Sequence, residues 1–148
     1  MSRHMARERA LQTLFQMDIN QMESEQAAAY TQTVVSEAVG ENAYDRPYFN
    51  LLLNGVLKHQ TYIDAVLNQY SEDWLVSRMP GVDRNVLRIS AYELIYEHDL
   101  PVAVAIDEAV SLCKDYGTEH SAKFVNGVLS GLLKDIPLLR ERSLGSSL

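Results

Sequence analysis

Apolar positions along this chain recur every three or four residues almost throughout, and no segment alternates convincingly as a strand. The first stripe, Ala6, Ala10, Leu11, Leu14 and Met17, predicts a helix over residues 6–19. At about 100° per residue, Arg3 and Arg7 prolong that stripe, while Arg9 points to the opposite side. Residues 26–39 read as a weaker helix ending near Gly40. After Pro47 a long helix follows, carried by Tyr48, Leu51, Leu52, Val56, His59, Ile63, Val66, Leu67 and Tyr70. Trp74, Leu75 and Met79 suggest a short helix before the Pro80-Gly81 break. Asp83 is placed to cap the next helix, patterned by Val86, Leu87, Ile89, Ser90, Leu94 and Ile95. Leu100-Pro101 opens another through Ala105, Ile106, Ala109, Val110 and Cys113, and Gly117 stands where a left-handed terminator is expected. Ser121 is expected to cap the last helix, with Phe124, Val125, Val128, Leu129, Leu132 and Leu133 on its apolar side.

The pattern predicts an all-α protein, a compact helical bundle of about seven helices. Short connections give one domain over residues 1–136, followed by a polar, mobile tail over 137–148. A chain of 148 residues with 47% hydrophobic and 22% charged residues suffices for one globular core. The single Cys113 excludes an internal disulfide or a multi-cysteine zinc site and fits a reducing, cytoplasmic compartment. No apolar run approaches the roughly 20 residues of a membrane span, and Glu8, Gln12 and Gln16 interrupt any signal-like core.

A net charge of −7 argues against indiscriminate nucleic-acid binding, yet the charge is uneven. Arg3, Arg7 and Arg9 crowd the first nine residues, while residues 18–45 hold six acids and neither Lys nor Arg. An acidic body with a basic end can dock RNA locally.

Catalytic chemistry is hard to find. His4, His59, His98 and His120 lack metal-ligand spacing, and no glycine-rich phosphate loop or other cofactor motif occurs. His59 lies on an apolar stripe and reads as a core histidine, and Cys113 as an inert packed thiol. Gly127 and Gly131 form a small-residue spacing that usually marks close helix packing. Asp107 and Glu108 are adjacent, so they diverge on a helix and form no dyad. Single-stranded RNA, by contrast, needs cations for phosphates and rings for unpaired bases. Arg3, Arg7, Phe15, Lys114, Lys123 and Phe124 are candidates, though spacing leaves Phe15 and Phe124 open between stacking and core packing.

The runs "ARERALQTLFQMDI", "LLNGVLKHQTYID", "VDRNVLRISAYEL", "LPVAVAIDEAVSLCKDYG" and "SAKFVNGVLSGLL" resemble, in order, successive signatures of the NusB family. The resemblance spans roughly residues 3–133. It implies two packed helical subdomains that bind the boxA element of ribosomal-RNA leader transcripts. It also implies joint action with ribosomal protein NusE and, indirectly, with the antitermination complex of RNA polymerase. Carried over by motif, the RNA surface would comprise Arg3, His4, Arg7, Phe15, Lys114 and Phe124, with Asp83 and Val102 facing NusE. No cofactor, metal or catalytic residue is implied. Departures are the His4-Met5 pair among the arginines, which suggests salt-sensitive RNA binding, Phe15 where the family often has Tyr, and His120 where some relatives carry an acid.

Two alternatives compete: a protein-interaction scaffold of the same fold, and the N-terminal domain type of an rRNA cytosine methyltransferase. The sequence does not separate monomer from homodimer.

Overall fold

The computed structural model describes residues 2–23, 25–29, 44–72 and 74–146. Among these are six helices: α1 (Arg3–Asn20), α2 (Arg46–Tyr70), α3 (Gly81–Tyr96), α4 (Val102–Tyr116), α5 (Ser121–Leu133) and α6 (Ile136–Ser146). A 3-10 turn, Val76–Arg78, precedes α3, and residues 25–29 are also helical. The rest of the helix expected over 26–39, from residue 30 on, lies outside the described residues. The chain divides into two compact units, residues 1–55 and 56–148.

In the first unit the α1 stripe is buried as its periodicity requires, through Ala6, Ala10, Leu11 and Leu14. Ser2 caps α1 by accepting the Met5 amide at 3.1 Å. At its far end Gln21 takes a left-handed conformation, φ 53°, a role the sequence does not advertise. Asp45 caps α2, its Oδ1 accepting the Tyr48 amide at 3.1 Å. A backbone link joins these caps: Asp45 N donates to Ser2 O at 3.1 Å, as part of an isolated parallel bridge between Ser2 and Tyr44.

In the second unit α3 is the central element, buried from Asn85 to Ile95 and packed against α4, α5 and α6. Four local expectations are corrected here. Asp83 does not cap α3: Pro80 occupies that position without a side-chain bond, and Asp83 sits buried in the first turn. Gly117 ends α4 in an extended, not left-handed, conformation; a Cβ there would lie 2.5 Å from the Ser121 Oγ and 2.8 Å from the Cys113 carbonyl oxygen. Its glycine serves a close approach. Ser121 is the first residue of α5 and uses its Oγ to accept the Thr118 amide at 3.0 Å, closing that same turn. The expected mobile tail is helical from Ile136 to Ser146: Leu139 and Ser143 are buried. Arg140 Nε donates to the Leu94 carbonyl at 3.1 Å, and the Tyr62 hydroxyl to the Leu139 carbonyl at 2.8 Å. Ile136 and Leu139 supply the apolar anchors that a polar composition conceals.

Asp64, Asn85 and Arg88 form a structural lock. The Arg88 guanidinium donates to both Asp64 oxygens at 2.9 Å, and its remaining nitrogen to Asn85 Oδ1 at 3.2 Å.

Candidate nucleic-acid interface

In the first unit, one turn of α1 brings Arg3 and Arg7 onto the same side, as their spacing of four requires. The start of α2 presents Tyr48 to both: the Arg3 guanidinium lies 4.3 Å and that of Arg7 5.3 Å from the ring centroid. Tyr48 is 4% exposed and Arg7 only 3%, whereas the Arg3 side chain is 57% exposed. Arg7, expected to meet RNA directly, is thus an inner group in the free protein, and Arg3 is the outward cation. Arg3 Nε also approaches Asp45 Oδ2 at 4.0 Å. His4 is half-buried with Nε2 3.7 Å from Glu8, and Phe15 is half-buried on α1. Its place on the α2 stripe marks Tyr48 in the sequence as one more core position. An aromatic residue next to the acidic cap of α2 was the only available signal for its second role.

In the second unit, the side of α5 bearing Lys123, Phe124, Gly127 and Gly131 opens onto a cleft of about 680 Å³, completed by Gln69, Tyr70, Glu72, His120, Val128, Lys134 and Asp135. Phe124 is half-buried, while Lys123 and Lys134 are exposed. The Tyr70 hydroxyl donates to Asp135, a bond that, with burial, pushes the phenol up to about 12. The ring therefore stays neutral at the cleft wall. The two glycines, expected to mark tight helix packing, form cleft floor instead: a Cβ on Gly127 would meet nothing within 4 Å, and one on Gly131 only the Tyr70 ring at 3.4 Å. Lys114 is exposed in the last turn of α4, where a cation also complements the helix dipole.

Asp83 is 5% exposed, and its Oδ1 is buried without a hydrogen-bond partner among the described residues. Val102 begins α4 half-buried. Cys113 is fully buried, and desolvation, with the nearby Asp83 charge, pushes its thiol up to about 12. Such a thiol is no nucleophile at neutral pH. His59, expected in the core, is half-buried and stacked: its ring lies 4.1 Å from Tyr96, which in turn lies 5.3 Å from Tyr92. Burial, aided by Lys58, lowers its pKa below the usual imidazole range.

These features define an all-helical protein that carries cations beside aromatic rings, and no described helix is long and apolar enough to cross a membrane. Residues 4–134 match the NusB family, and the chain belongs to it. It is 40% identical over 136 residues to the transcription antitermination protein NusB of Bacillus subtilis (strain 168), covering 92% of this chain and 98% of the relative. NusB of T. maritima superposes with a TM-score of 0.78 at 34% identity, covering 91% of this chain and 92% of that one. A chain from the crystal structure of antitermination factors NusB and NusE in complex with dsRNA matches with a TM-score of 0.75 at 28% identity, covering 90% and 98%. The methyltransferase alternative gains no support, since the Bacillus relative is matched over nearly its whole length and is an antitermination protein.

Proposed function

We propose that this protein is an RNA-binding antitermination factor that recognises boxA-type ribosomal-RNA leader sequence together with NusE, in the cytoplasm. The observation that supports it best is the α5 cleft, whose lining brings together the Phe124 and Tyr70 rings and the exposed lysines 123 and 134. Aromatic faces that accept unpaired bases, flanked by cations for the backbone, are what single-stranded RNA requires. Arg3 is the outward phosphate contact of the first unit, Arg7 its inner support and His4 a neighbour on the same helix. Phe15 is a further contact of the first unit, and Lys114 and Tyr70 are further contacts of the second. NusE takes the side that includes Val102 and the first turn of α3 around Asp83. RNA polymerase is reached indirectly through the assembled complex.

None of these roles requires a bond to be made or broken by the protein. The test is binding to boxA RNA and to a scrambled control, with and without NusE, at two salt concentrations. Selective binding strengthened by NusE is expected. Phe124→Ala should weaken it about tenfold, the loss of one base stack. Arg3→Ala should weaken it several-fold and flatten the salt dependence by about one ion. Absence of any boxA preference with NusE present would leave a protein-interaction scaffold.

A further inference from the structure

The Arg3–Tyr48 arrangement contains a third member that the RNA reading does not use. Asp45 places its two carboxylate oxygens on different tasks. Oδ1 accepts the Tyr48 amide at 3.1 Å and caps α2. Oδ2 faces Arg3 Nε at 4.0 Å. The position of the carboxylate is fixed from behind, because Asp45 N is bonded to Ser2 O, the residue preceding Arg3. Arg3 itself rests over the Tyr48 ring, with its side chain more than half exposed.

We propose that Asp45 is an internal competitor for the RNA backbone: it occupies Arg3 in the RNA-free protein, and a phosphodiester must displace it to reach that guanidinium. This rests on the reading that RNA meets the basic end of the first unit. A 4.0 Å pairing with an exposed arginine is loose, so a phosphodiester displaces the carboxylate at little cost. A phosphodiester can take up the bidentate geometry that a single oxygen at this distance does not fill. Once phosphate is bound, the Asp45 charge remains nearby, tethered by its capping bond, and repels the ligand. Tyr48 is a positioning residue in this scheme, since its buried ring keeps Arg3 outward whether Asp45 or phosphate holds the other side. Position 45 therefore sets affinity, independently of any contact it makes with RNA.

The two tasks of Asp45 separate chemically. Asn accepts the Tyr48 amide as well as Asp does and is as good an N-cap, but carries no charge. Asp45→Asn should tighten boxA RNA binding about fivefold at low salt, with the gain shrinking as salt screens the repulsion. On an Arg3→Ala background the same substitution should give no comparable gain. Asp45→Ser, a second neutral cap, should behave alike, and thermal unfolding of both variants checks that the cap survives. Unchanged affinity in both folded variants, or a gain that persists without Arg3, overturns the proposal while leaving the RNA reading intact. Failure of the unsubstituted protein to bind boxA RNA, alone or with NusE, overturns both.

Discussion

Each unit of the molecule holds a basic group against tyrosine rings, and the two do opposite things with its charge. Tyr48 lies under two guanidiniums, one of them on a residue only 3% exposed. Tyr92 and Tyr96 instead stack with His59, whose pKa is lowered. An arginine cannot shed its proton at any accessible pH, and its weakly hydrated, planar head tolerates burial against a ring. An imidazole can shed its proton, and burial with Lys58 alongside makes that the lower-energy course. Beside aromatic rings the permanent charge is kept, while burial and Lys58 remove the disposable one. The first unit keeps its cations charged against a ring, while the second gains a neutral stack.

Removing the ring that carries the permanent charges is the severest way to break this contrast. Tyr48→Ala should cost about 3 kcal/mol, as expected for truncating a buried aromatic side chain, and denaturant unfolding would measure it. A smaller change, Tyr96→Leu, should admit water beside His59 and move its pKa back up towards the ordinary value of 6.5, read by NMR titration of the ring. The smallest effect is on acid stability. With the folded pKa lowered, His59 is neutral in both states well above pH 6.5, and the unfolded chain takes up the proton first as pH falls. Stability should therefore decline from just above pH 6.5 until the folded pKa is passed, by less than about 1 kcal/mol for a partly exposed ring. His59→Gln should remove that part of the decline, seen by comparing unfolding midpoints at two pH values.

The helices were legible because burial imposes its 3.6-residue period directly on the sequence, as the stripes of α1 and α5 demonstrate. Helix ends were less so. Asp83 has the chemistry of a cap, but Pro80 sets the start of α3 three residues earlier. Gly117 has the composition of a left-handed terminator, whereas its actual constraint comes from Ser121 across the turn. The basic end was visible as charge, yet whether Arg3 or Arg7 faces outward depends on Tyr48, about forty residues away in sequence. Glycines 127 and 131 show the same limit: their spacing announces room beside a helix without saying whether another helix or open space fills it. Ile136 and Leu139 anchor a segment whose composition reads as tail.

Cys113 gives the molecule a clock. It is the chain's one thiol, fully buried, and its pKa is pushed up to about 12, so a soluble alkylating reagent reaches it only when the surrounding helices part. The rate of its modification then reports how often the second unit opens, with no label added and no background from other cysteines. At reagent concentrations where capture outruns reclosing, that rate becomes the opening rate itself, and a ligand that holds the unit shut would slow the clock.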